Sequence, residues 1–92
     1  MNMSFHPDLQ AMPLALAPEG ATLEVRRLAG GEAFSQRMLS MGIGPGRMIR
    51  VVQREGGALV LAVGETRFGI GCGVAQKIMV VAVQENAEEA GA

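Results

Sequence analysis

The chain has 92 residues, 49% of them hydrophobic and 18% charged, with 13 glycines, 7 methionines, 3 phenylalanines and neither tryptophan nor tyrosine. This length is expected to hold one domain around a small core, which excludes a multi-domain enzyme, and a net charge of -1 gives no overall pull toward phosphate backbones or anionic lipid. A single cysteine cannot make an internal disulfide, so the composition fits a reducing compartment.

Residues 1–13 mix polar and apolar positions without a period and are expected to form a flexible arm. No basic segment opens it, Pro13 interrupts its uncharged stretch, and nowhere does an apolar run approach the roughly 18 residues of a spanning helix. A soluble, cytoplasmic protein is the expectation. Pro13 to Pro18 is too short between prolines for a full helix, and Leu14 and Leu16 are expected to plug one end of the core. From Ala21 to Leu28 apolar and charged residues alternate, the period of a strand with one buried face. Ala29-Gly30-Gly31 breaks it. Glu32 to Met41 then shifts to helical spacing, with Phe34, Met38 and Met41 on one stripe and Leu39 well off it. Gly42 is placed to stop the helix in a left-handed conformation, and Gly44-Pro45-Gly46 is a second turn. Met48–Glu55, Ala58–Val63, Thr66–Ile70 and Ile78–Val83 read as strands, joined at Gly56-Gly57, at Gly64-Glu65 and by a glycine-rich connection or helical turn over Gly71–Ala75. About five short strands at this spacing predict a mainly β fold, a small barrel. Residues 84–92, acidic and without a large apolar side chain, are expected to be a disordered, solvated tail.

The chemistry available to such a chain is narrow. Its one histidine, His6, lies in the arm, where it cannot be held with the precision a catalytic base needs, and its one Asp, Asp8, stands two residues on. His6 and Asp8 could capture a divalent ion weakly with a residue of another chain, but no cofactor is required. Cys72 is a buried filler, an inert surface thiol or a ligand. The glycine runs Gly42–Gly46 and Gly69–Gly73 lack the following Lys-Ser/Thr of a phosphate cradle. Arg26, Arg27, Arg37, Arg47, Arg50, Arg54 and Arg67 are dispersed without aromatics for base stacking, so nucleic acid is not the expected partner and most of them should be solvated strand faces. What remains is protein binding. Leu39, Met41, Ile43 and Met48 could form an exposed apolar edge beside Arg37 and Arg47; the competing reading packs Leu39 beneath Leu14–Leu16. An exposed edge of this kind also admits a homo-oligomer.

The run Arg37-Met38-Leu39-Ser40-Met41-Gly42-Ile43-Gly44-Pro45-Gly46 followed by a strand resembles the most recognisable segment of the FeoA family, small cytosolic proteins of bacterial ferrous-iron uptake. Leu14–Gly20 and Ala75-Gln76-Lys77-Ile78-Met79-Val80 are similar to that family's opening and closing segments, so the resemblance covers about residues 14–83. It implies an SH3-like five-stranded barrel with a short helix inserted after the first strand. It also implies a non-enzymatic accessory protein that docks on an FeoB-type ferrous-iron transporter, through its cytosolic G-protein domain or its membrane portion. Arg37, Leu39, Met41, Gly42, Ile43, Pro45 and Gly46 are the expected contact residues. The alternative is a stand-alone SH3-like regulatory module like the C-terminal domain of iron-dependent repressors. Proline-rich ligands are not expected, because three phenylalanines cannot line the aromatic groove such ligands need.

Overall fold

A computed structural model describes residues 11–83. Strand β1 (Met12–Pro13) leads into a 3-10 turn (Leu14–Leu16), then β2 (Thr22–Leu28), helix α1 (Glu32–Ser40), β3 (Met48–Glu55), β4 (Ala58–Val63), β5 (Thr66–Gly71), a one-turn helix α2 (Cys72–Ala75) and β6 (Ile78–Ala82). The alternating strand pattern works as expected: Leu23 and Val25 of β2, and Ile49 and Val51 of β3, are buried, while Glu24, Met48 and Arg50 face the other way. On α1 the buried residues are Phe34 and Met38.

All strand pairs are antiparallel, in the order β1-β6-β2-β3-β4-β5. Glu55 pairs with Ala58 and Val63 with Thr66, so both hairpins turn through two residues. Register shifts after Val25 and after Val51 add local bend and twist, and the sheet curls around an aliphatic core in which Phe34 is the one aromatic among the described buried residues. The fold is the mainly β, SH3-like architecture that the resemblance implied, with two differences. β1 is a sixth strand, pairing Met12 with Val80 and Pro13 with Met79, so the sheet begins inside the stretch 1–13 expected to be an arm. A two-residue strand has no period to read, and a proline is tolerated there because an edge strand need not donate on both sides. The rest of that arm and the acidic stretch 84–92 lie outside the described residues.

The second difference is that the sheet does not close on itself: β1 and β5 are its two ends. The seam is filled by side chains. The 3-10 turn packs on β6 and α2, and α2 packs on β4 and β5, with Leu14, Ala17 and Ala75 completely buried. Leu16, expected to plug the core beside Leu14, is instead 69% exposed. Residues two apart in a 3-10 turn point about 240° apart, so only one of the two leucines can face inward. Arg54, expected on a solvated strand face, holds the turn in place. Its Nη1 donates to the Ala17 carbonyl at 2.5 Å and its Nη2 to the Ala15 carbonyl at 2.7 Å, while its backbone N–H donates to Glu19 Oε2 at 2.8 Å. These carbonyls have no following helical turn to bond with, and a guanidinium supplies charge-assisted donors in a fork. Among the described residues no helix is long and apolar enough to cross a membrane.

Removing the clamp tests its contribution. Arg54→Ala is expected to lower unfolding stability by about 1–3 kcal/mol, measured by urea denaturation, whereas Arg27→Ala, at an exposed position of β2, should stay within about 0.5 kcal/mol. Equal effects would mean that water satisfies the two carbonyls as well as Arg54 does.

Candidate functional site

The segment that carries the family-like motif forms a hydrogen-bonded helix end. Beyond Ser40 the helix closes with the Gly42 N–H donating to the Leu39 carbonyl at 3.0 Å and the Ile43 N–H to the Met38 carbonyl at 2.9 Å, the two bonds of a Schellman motif. Gly42 has φ 83°, a left-handed conformation in which a side chain is strained. The motif also brings Ile43 against the interior: Met38 is 1% exposed and Ile43 is fully buried. Gly44-Pro45-Gly46-Arg47 follows as a turn closed by the Arg47 N–H to the Gly44 carbonyl at 3.0 Å, with φ 92° at Gly46. Proline second and a positive-φ glycine third define type II. The turn is tied to β2 by the Gly46 N–H to the Val25 carbonyl at 2.7 Å and by the Val25 N–H to the Arg47 carbonyl at 2.9 Å.

On this frame Leu39 is 54% exposed, so it does not pack beneath Leu14–Leu16. Its side chain leans on the backbone of Gly44 so closely that a Cβ there would lie 2.5 Å from Leu39 Cδ2. Pro45 and Gly46 are exposed, while Gly42 is half-buried and Met41 is half-buried against the core. The surface that results is Leu39, Gly44, Pro45 and Gly46, flanked by the outer part of Met41. Ile43, expected in the contact, is instead a core residue, and its role is to hold the platform from behind. Arg37 is exposed, yet about 200° around the helix from Leu39, so the two residues flank opposite sides of the buried stripe. Gly44 was missed as a named contact; a glycine two residues after the helix stop, next to a proline, was the available signal.

Elsewhere the sequence-derived candidates separate. His6 and Asp8 lie outside the described residues. Cys72 is half-buried at the start of α2 and packs against the core cluster. Among the described residues no group of three or more His, Cys, Asp or Glu side chains gathers to hold a metal ion.

Four similarities to known proteins bear on this geometry. The FeoA domain family matches residues 12–82. A curated protein of Methanocaldococcus jannaschii named "Putative Fe(2+) transport protein A" is 37% identical over 79 residues, spanning 86% of this chain and 92% of the relative. A crystal structure of an iron uptake regulatory protein, FeoA, superposes with a TM-score of 0.74 at 34% identity, over 79% of this chain and 97% of that one. A manganese-dependent transcriptional repressor superposes with a TM-score of 0.72 at 26% identity, but only 42% of the repressor is covered.

The helix-end geometry predicts three different responses in thermal or urea unfolding. Gly42→Ala should cost about 1 kcal/mol or more because of its positive φ, and Ile43→Ala about 2–5 kcal/mol through the cavity it leaves. Leu39→Glu should change stability by no more than about 0.5 kcal/mol. Unfolding by Leu39→Glu would show that this side chain belongs to the core.

Proposed function

The chain belongs to the FeoA domain family, and from that premise we propose that it is a non-enzymatic, cytosolic accessory protein of bacterial ferrous-iron uptake that docks on an FeoB-type transporter. The observation that carries the docking surface is Leu39: a large aliphatic side chain, 54% exposed, held against a glycine backbone at the end of a short helix. Apolar anchors ringed by less critical contacts dominate binding energy at protein interfaces. Pro45 and Gly46 continue the surface, and Met41 at its margin adapts to an irregular partner.

Docking acts on transport only through differential affinity. A protein that binds one conformation of the transporter more tightly than another shifts the balance between them by that difference. Ferrous iron is the transporter's cargo in this scheme, and no metal need reside in the accessory protein. Arg37 is exposed and has no acidic partner within ion-pair distance among the described residues. In our reading it is the candidate to supply a cation to the transporter's nucleotide-binding domain, but a partner that touches both Arg37 and Leu39 must embrace the helix end from two sides.

A regulatory role is the second reading, favoured by the fold shared with one part of a metal-dependent repressor. It differs in its partner, which would be a DNA-binding protein rather than a transporter.

Retention on immobilised transporter, as the isolated cytosolic domain and as the full-length membrane protein, separates the two. Wild type should be retained, with Leu39→Glu weakened by roughly 2 kcal/mol or more while remaining folded. If neither bait retains folded wild type, direct docking is wrong.

A further inference from the structure

The core occupies one face of the curled sheet, and the opposite face carries a shallow, open groove of about 250 Å³ lined by Thr22, Met48, Arg50, Ala62 and Gly64, and by Ile49, whose side chain is buried on the core side. Strand pairing explains its composition. Thr22 lies opposite Arg50, Arg50 opposite Ala62, and Ala62 opposite Arg67, so these side chains form one row across β2, β3, β4 and β5. In the neighbouring row Val81 lies opposite Glu24 and Glu24 opposite Met48. Directly opposed residues share a face, which gives the groove an apolar floor at Met48 and Ala62 with arginines along one row. Arg47 stands at its end, where a Cβ added to Gly64 would lie 2.9 Å from Arg47 Nη2. A residue larger than glycine at position 64 would push that guanidinium off the rim.

The charges here are not balanced. Arg26 pairs with Glu24 at 3.7 Å, which occupies the acid beside Met48, and among the described residues Arg47, Arg50 and Arg67 have no carboxylate within ion-pair distance. Glu65, next to Gly64 in the β4–β5 turn, forms no ion pair among the described residues either. Arg50 thus shares the groove with a 46% exposed Met48, with Arg67 farther along its row and Arg47 at the end, three exposed arginines in a chain whose net charge is -1. The volume falls below the roughly 300–1,000 Å³ of small-molecule pockets. A nucleic acid would require stacking aromatics and a longer run of cations, and these two rows contain no aromatic residue. An extended peptide fits better: an aliphatic side chain rests on Met48 and Ala62 while flanking carboxylates take charge-assisted, forked bonds from Arg50 and Arg67.

We infer that the outer face of β2, β3, β4 and β5 is a second docking surface, which takes an acidic segment of a partner protein carrying an aliphatic residue between carboxylates. Leu39 is not among its lining residues, and it does not depend on the partner being a transporter.

The test titrates the full chain, labelled with ¹⁵N, with a short synthetic peptide of alternating glutamate and leucine and with its glutamine counterpart. The acidic peptide should shift the amides of Thr22, Met48, Arg50, Ala62 and Gly64, and bind less tightly as salt rises. Affinity should fall at least about tenfold for the glutamine peptide and for the double variant Arg50→Glu, Arg67→Glu, and stay unchanged for Leu39→Glu. Should the double variant unfold, Met48→Ala supplies the weakening to be measured. The inference is overturned if millimolar acidic peptide leaves these amides unmoved, if the glutamine peptide binds equally, or if shifts appear only at Leu39–Gly46. It is also overturned if oligothymidylate or phosphatidylglycerol vesicles bind through Arg50 and Arg67 and the peptide does not. Loss of self-association on Arg50→Glu would assign the face to a second copy, and shifts of the same amides on deleting residues 84–92 would assign it to the chain's own terminus; each result rejects a partner segment.

Discussion

A sheet whose end strands do not hydrogen-bond to each other must still keep water out of its interior, and much of this chain is organised around that requirement. Between β1 and β5 the backbone ladder is missing, so the seam is sealed by side-chain packing and by the hydrogen bonds of Arg54. The residues there are small or aliphatic, Leu14, Ala15, Ala17 and Ala75, all buried. The 3-10 turn leaves carbonyls without a following helical turn to bond with, and Arg54 reaches from β3 to bond two of them. The clamp also answers the edge problem. A curled sheet with two free ends invites pairing with other chains, and a turn and a one-turn helix wedged against the ends reduce that exposure.

On the helix side the decisive constraint is where α1 stops. The Schellman motif at Gly42 turns the chain so that Ile43 joins Met38 inside. Leu39, one residue and about 100° around the helix from Met38, is then left outward. The type II turn that follows is bonded to β2, so the exposed platform rests on the sheet and not on a free loop. The outer groove and this platform are connected through Arg47 and Met48, which lead out of the turn into β3. A substitution that moves the turn would therefore be felt on both surfaces.

Periodicity made much of this legible. β2 alternates, α1 carries a stripe, and glycines punctuate the hairpins, and each of these signals depends only on residues close in sequence. The helix stop at Gly42 was readable for the same reason. What escaped depends on contacts across the chain. Arg54 looks like any strand arginine until the 3-10 turn, separated from it by 37 residues at Ala17, is folded against it. Leu14 and Leu16 look equivalent until a 3-10 turn directs them apart. Ile43 was grouped with the surface because it follows the helix and has no period of its own, although its place in the motif after a C-terminal glycine carried the information that it should pack inward. The opposite placement of Arg37 and Leu39 was likewise available from helical angles.

Leu39 leaning on Gly44 has one further consequence, for the speed and selectivity of recognition. An exposed leucine on an ordinary helix samples several rotamers, and fixing it in a complex costs about 0.5–1 kcal/mol. Here the neighbouring backbone already excludes part of that range, so less freedom remains to be lost when a partner arrives. The same contact makes the position of the anchor sensitive to a single hydrogen atom: position 44 must lack a Cβ for the side chain to lie where it does. A partner pocket shaped for this one pose would discriminate against a relative whose leucine stands upright, even with every surface residue otherwise identical.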